Sequence, residues 1–145
     1  MRISQKIRIE GSPADVFKLI GDPARYPAFL TGTTTWKPVS QQTHGVGARF
    51  RVLMKVGSVE VGGIVEVFRW EDDVVIEWAA VQGVHQTGSW ALEPVDGGTE
   101  LRIELDYDIG GGPVGWLVER IAARTLVRNL WASLLAARRI VEARE

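Results

Sequence analysis

The chain has 145 residues, 46% of them hydrophobic, enough for one domain with its own core. Seventeen Lys and Arg against eighteen Asp and Glu give a formal charge of −1, which removes any broad electrostatic drive toward nucleic acid or an anionic membrane. With no cysteine, a disulfide framework, a thiolate nucleophile and a thiolate metal site are all excluded.

The N-terminal segment Met1 to Lys6 alternates polar and apolar residues instead of forming an apolar signal core. Because no run of about 18 apolar residues occurs, a cytoplasmic location without an integral membrane segment is expected. Ile3, Ile7 and Ile9 among Arg2, Lys6, Arg8 and Glu10 predict a half-buried strand ending at Gly11. Ser12-Pro13-Ala14-Asp15 then supplies an N-cap hydroxyl, a proline at the first helical position and a carboxylate in the first turn, opening a short helix through Val16, Phe17, Leu19 and Ile20. Asp22-Pro23 repeats the signal after Gly21, and Pro27 limits the second helix to roughly one turn.

From Trp36 to Ile109 the sequence predicts successive strands separated by turns at Thr43-His44-Gly45, Val56-Gly57-Ser58, Glu71-Asp72-Asp73, Gln82-Gly83 and Asp96-Gly97-Gly98, an antiparallel meander. Its last strand sets Leu101, Ile103, Leu105, Tyr107 and Ile109 on one face and Glu100, Arg102, Glu104, Asp106 and Asp108 on the other. Gly62-Gly63 and Gly88 mark bends in the sheet. After Gly110-Gly111-Gly112-Pro113, expected to form a flexible mouth, a helical pattern runs from Val114 to about Glu142, some 43 Å at about 1.5 Å per residue. Its apolar arc is read as Trp116, Ala123, Leu126, Val127, Leu130, Leu134, Ala137 and Val141, with Arg120, Trp131 and Arg138 at the boundary. The predicted fold is α+β: a curved antiparallel sheet of about seven strands wrapped around a long C-terminal helix, two short helices following strand one, one domain over 1–145.

That order, with Ser12-Pro13-Ala14-Asp15-Val16-Phe17, with Asp22-Pro23-Ala24-Arg25-Tyr26-Pro27-Ala28-Phe29-Leu30, and with the Gly-Pro break before the terminal helix, resembles the START-like (Bet v 1-like, SRPBCC) superfamily. More narrowly it is similar to the bacterial polyketide cyclase/dehydrase and lipid-transport family. The Tyr26 to Leu30 stretch also looks like that of the ubiquinone-binding branch, although Thr31 to Trp36 lacks the Trp-Cys-like segment often found there. The resemblance implies a helix-grip fold enclosing a cavity that takes lipids, sterols, polyketides or quinone-like molecules. Only some members are enzymes, so it speaks for fold more than for chemistry.

Six tryptophans stand in the sequence, of which Trp78, Trp90, Trp116 and Trp131 are placed to face inward; Trp36 and Trp70 are assigned to structure or rim. Aromatic walls with few polar groups hold flat or greasy ligands, and the same rings equally fill the core of a curved sheet. Phe50, Met54, Ile76 and Leu105 from the strands and Val127 from the helix complete the expected lining. Gln86, Tyr107 and Arg120 are the polar candidates for reading a ligand's oxygen, Arg120 also being able to extend to solvent.

His44 and His85 lie at turns with no ligand-like spacing, so no metal or other cofactor is expected. Thr87 and Ser89 point outward by alternation, as do Glu66 and Glu77, leaving Tyr107 and Arg120 as the best cyclase-like pair. The expected function is sequestration or transport of a small hydrophobic molecule by a monomer or homodimer. The alternatives are an aromatase/cyclase acting through cavity shape and an interaction protein acting through its surface.

Overall fold

The structure is a computed structural model describing residues 1–56, 58–108 and 112–143, with the side chains of residues 56, 59, 112–116 and 118 not described. Its strands are Arg2–Ile9 (β1), Thr33–Pro38 (β2), Arg49–Val56 (β3), Val59–Glu71 (β4), Val75–Gly83 (β5), His85–Val95 (β6) and Gly98–Asp108 (β7). Its α-helices are Pro13–Ile20 (α1), Tyr26–Phe29 (α2) and Gly112–Glu142 (α3), with a 3-10 turn at Pro23–Arg25. This is the expected order, although β2 begins three residues before Trp36 and α3 two residues before Val114. The expected mouth at Gly110 and Gly111, with Ile109, lies outside the described residues.

All seven strands form one antiparallel sheet in the order β1-β7-β6-β5-β4-β3-β2. The first two strands therefore occupy opposite edges, and α1, the 3-10 turn and α2 cross from one edge to the other. Local chemistry fixes that crossing: the Ser12 hydroxyl accepts from the Asp15 amide at 3.2 Å, as its capping position predicts. Crossing also brings Tyr26, Phe29 and Leu30 into the core, closing one end of the curled sheet.

Curvature enters at register shifts between Thr33 and Thr35, between Ile64 and Val65, and between Val67 and Arg69. Beside the second of these, β4 passes its neighbours so closely that a Cβ on Gly62 would collide with the Val52 carbonyl, and one on Gly63 with the Gln82 carbonyl. Gly88 answers a different need, since a Cβ there would fall inside the Trp78 indole. Alternation along β7 is as predicted, with Leu101, Ile103, Leu105 and Tyr107 buried.

The outer sheet face is charged and in large part internally compensated. Arg2 pairs with Glu104 and Asp106, Lys6 with Glu100, Arg49 with Glu66, and Arg69 with Glu71 and Glu77. Helix α3 lies on the inner face. Its buried residues are Ala122, Leu126, Leu130, Ser133, Leu134, Ala137 and Val141, each three or four positions from another and so on one side of the helix. Its C-terminal half is pinned at two places. The Ser133 hydroxyl accepts from the Thr31 amide at 2.8 Å and donates to the Asn129 carbonyl at 2.6 Å, while the Glu142 carboxylate accepts from the Glu10 amide at 2.9 Å.

Candidate ligand cavity

At the closed end the aromatic rings fill the space between sheet and short helices. Tyr26 meets Trp36 edge-on at a centroid distance of 4.8 Å, Trp36 meets Trp78 at 5.4 Å, and Trp90 packs against Tyr26 at 6.1 Å and Phe29 at 6.2 Å. The buried Tyr26 hydroxyl donates to the Ile20 carbonyl, tying α2 to the end of α1. Burial holds its phenol proton far more tightly than an ordinary tyrosine does, against a smaller opposing effect from Trp90.

Toward the other end the side chains shrink and space opens. Met54, Val61, Gly62, Val84, Gln86, Leu105 and Tyr107 of the sheet, with Ala122 and Leu126 of α3, enclose a cavity of about 490 Å3 counted to its mouth; the centre of a water-sized sphere reaches about 40 Å3 of it. Met54, Gln86 and Leu105 also line a smaller inner lobe that continues to Thr33, Trp36, Trp78, Ile103, Leu130 and Ser133. The two lobes thus meet at Met54, an unbranched side chain able to change rotamer and join them.

Polar groups are sparse along this path. The Tyr107 hydroxyl makes only a 3.5 Å contact to the Met1 sulfur, and its pKa is raised by burial first and by the nearby Glu119 charge second. The Gln86 amide has no hydrogen-bond partner among the described residues, and the buried Trp36 Nε1 is likewise unpartnered. An unmet buried donor of this kind costs about 1–3 kcal/mol, which an acceptor oxygen arriving with a ligand would recover.

Among the described residues lining the two lobes, Tyr107 is the one with an ionisable side chain. Glu66 is ion-paired on the outer face. Thr87, Ser89 and Glu77 share a shallow outer groove with Arg2 and Asp106, and His44 and His85 are exposed. Among the described residues no three His, Cys, Asp or Glu side chains converge as metal ligands, and no helix is long and apolar enough to cross a membrane.

Of the lining expected from sequence, Met54, Gln86, Leu105 and Tyr107 meet around the cavity, and Trp78 lines the inner lobe. Phe50, Ile76 and Trp90 are buried in the core without lining either lobe. Three assignments on α3 are corrected. Val127 and Trp131 are 40% and 43% exposed, and Arg120 is exposed beside Leu117, Ile121 and Arg124 on the outer flank. Val127 and Trp131 each sit one residue, about 100°, beyond the buried ridge positions Leu126 and Leu130, because α3 carries apolar residues on both faces. Ala123, placed in the apolar arc, is only half-buried. The side chain of Trp116 lies outside the described residues. Sequence reasoning missed Val61, Gly62, Val84 and Ala122; the available signal was small size, which aromatic counting overlooks.

A comparison with curated proteins finds no significant match. Among solved structures, TTHA0849 from Thermus thermophilus superposes with a TM-score of 0.85 at 19% identity, covering 100% of this chain and 99% of that one. The ZhuI aromatase/cyclase from Streptomyces sp. R1128 gives 0.83 at 16% identity, covering 99% and 94%, and a START superfamily protein from Mycobacterium smegmatis gives 0.74 at 18%, covering 99% of each. At these identities the likeness is one of fold, the helix-grip arrangement expected from the sequence. The family model for polyketide cyclase/dehydrase and lipid transport matches residues 1–142, and the chain belongs to that family.

Proposed function

We propose that the protein binds a small, largely apolar molecule bearing an acceptor oxygen, sequestering or carrying it between sheet and α3. The observation that carries this reading is the apolar cavity that narrows at Met54 toward an inner lobe lined by Trp36 and Trp78. Its lining is apolar with a few polar groups able to fix orientation, the character of small-molecule sites. A carbonyl would meet Gln86 or Trp36, and Tyr107 would act as donor nearer the mouth. The lack of an ionisable general base along the described walls favours binding over proton-transfer chemistry.

Titration with fatty acids, sterols, quinones and aromatic polyketides, followed by tryptophan fluorescence, tests the reading, because Trp36 and Trp78 line the inner lobe. One class should bind saturably, and Ala122→Phe, which fills the cavity from the helix side, should weaken it more than tenfold while leaving the fold intact. Absence of saturable binding by any class, or equal binding by the filled variant, would overturn it.

A further inference from the structure

The side of α3 turned away from the cavity is neither simply polar nor simply apolar. Leu117 and Ile121 are 54% and 62% exposed, and with the exposed Val127 and Trp131 they share a helical arc with Arg120, Arg124 and Arg128. From Arg120 to Val141 the helix has five arginines and no carboxylate, within a chain whose net charge is −1.

The cations of the two faces differ in their surroundings. On the sheet, Arg2, Lys6, Arg8, Arg49, Arg69 and Arg102 each pair with a carboxylate, while Lys37, Arg51 and Lys55 form no ion pair among the described residues. Arg124, Arg128, Arg138 and Arg139 form no ion pair among the described residues. The near-zero total is therefore a sum over unlike faces. It conceals a positive, partly apolar helix surface that the composition argued against.

We infer that this face docks on an anionic lipid bilayer, arginines against the headgroups and Leu117, Ile121, Val127 and Trp131 entering the interface. Charge complementarity selects the occupant. A second copy applied to the same face would oppose arginine to arginine. Nucleic acid would satisfy the arginines and leave four large apolar side chains without a partner. A bilayer interface accepts both, and a basic helix face interspersed with aliphatic residues and tryptophan is the composition that lies in it. The surface stands apart from the cavity reading, since docking can be measured whether or not the cavity takes a ligand.

Sedimentation of the full chain with phosphatidylcholine vesicles, with and without phosphatidylglycerol, tests the docking. Binding should require the anionic lipid, fall as salt is raised, and weaken about fivefold for each arginine removed in Arg124→Gln and in the Arg124→Gln/Arg128→Gln double variant. Leu117→Ser/Ile121→Ser should weaken it too. All these positions are exposed, so unchanged thermal midpoints would confirm intact folding. No sedimentation, binding indifferent to phosphatidylglycerol or to the arginine changes, or preferential binding of duplex DNA through the same arginines would overturn the inference.

Discussion

The two ends of the space between sheet and helix are built from different side chains. The closed end holds Tyr26, Phe29, Trp36, Trp78 and Trp90 in mutual ring contact, leaving only the small inner lobe beside them. The open end has Val61, Gly62, Val84 and Ala122 in the corresponding roles, and a larger cavity between them. An abundance of aromatic residues in this fold therefore marks where the core is complete. The place for a ligand is marked by small residues facing one another across the gap.

The difference is most sharply tested by truncating the same residue type at each end. Leu134→Ala removes a fully buried side chain from close-packed surroundings and should cost about 4 kcal/mol, whereas Leu126→Ala, whose side chain already borders free space, should cost about 2 kcal/mol. Denaturant unfolding of the two variants measures the gap, and equal losses would mean the two ends are equally packed.

Overfilling gives the next effect. Gly88→Ala pushes a methyl into the Trp78 indole, which is itself backed by Trp36, and should destabilise by about 2 kcal/mol. A rise in thermal midpoint would show that Trp78 has room to move and that the inner lobe is wider than its walls imply.

The smallest effect is one of pH. Burial raises the Tyr26 pKa above its ordinary 10.0, so the native state holds a proton that the unfolded chain releases first. That contribution is present in full below about pH 10 and is lost as pH rises above it. Tyr26→Phe should cost about 1 kcal/mol at neutral pH, through the unpaired Ile20 carbonyl, and should unfold less steeply in alkali. Thermal melts of both proteins from neutral to strongly alkaline pH would show the two curves converging.

Much of the fold was legible because the signals were local. Ser12 and Pro13 open a helix wherever they stand before an amphipathic segment, and the period-two pattern from Leu101 to Tyr107 admits one face assignment. The candidate site was legible in part. Gln86, Leu105 and Tyr107 followed from strand alternation, which has only two answers. Helix α3 offered no such restriction, for Leu117, Ile121, Val127 and Trp131 are as apolar as Leu126 and Leu130. Apolarity alone could not tell which side faced the sheet. Small size is no sure guide either: Ala122, Ser133 and Ala137 lie on the buried ridge, whereas Ala123, Ala132 and Ala136 are only half-buried.

Where β4 presses on its neighbours, the cavity wall is made of main chain instead of side chains. No substitution at Gly62 or Gly63 can adjust it without breaking the sheet, so descendants of this sequence inherit that surface unchanged. Any drift in what the pocket admits must come through the side chains around it, from Met54, Val61 and Val84 to Gln86, Tyr107 and Ala122. A designer wishing to retune its selectivity has a fixed anvil on one side and those side chains as the tools.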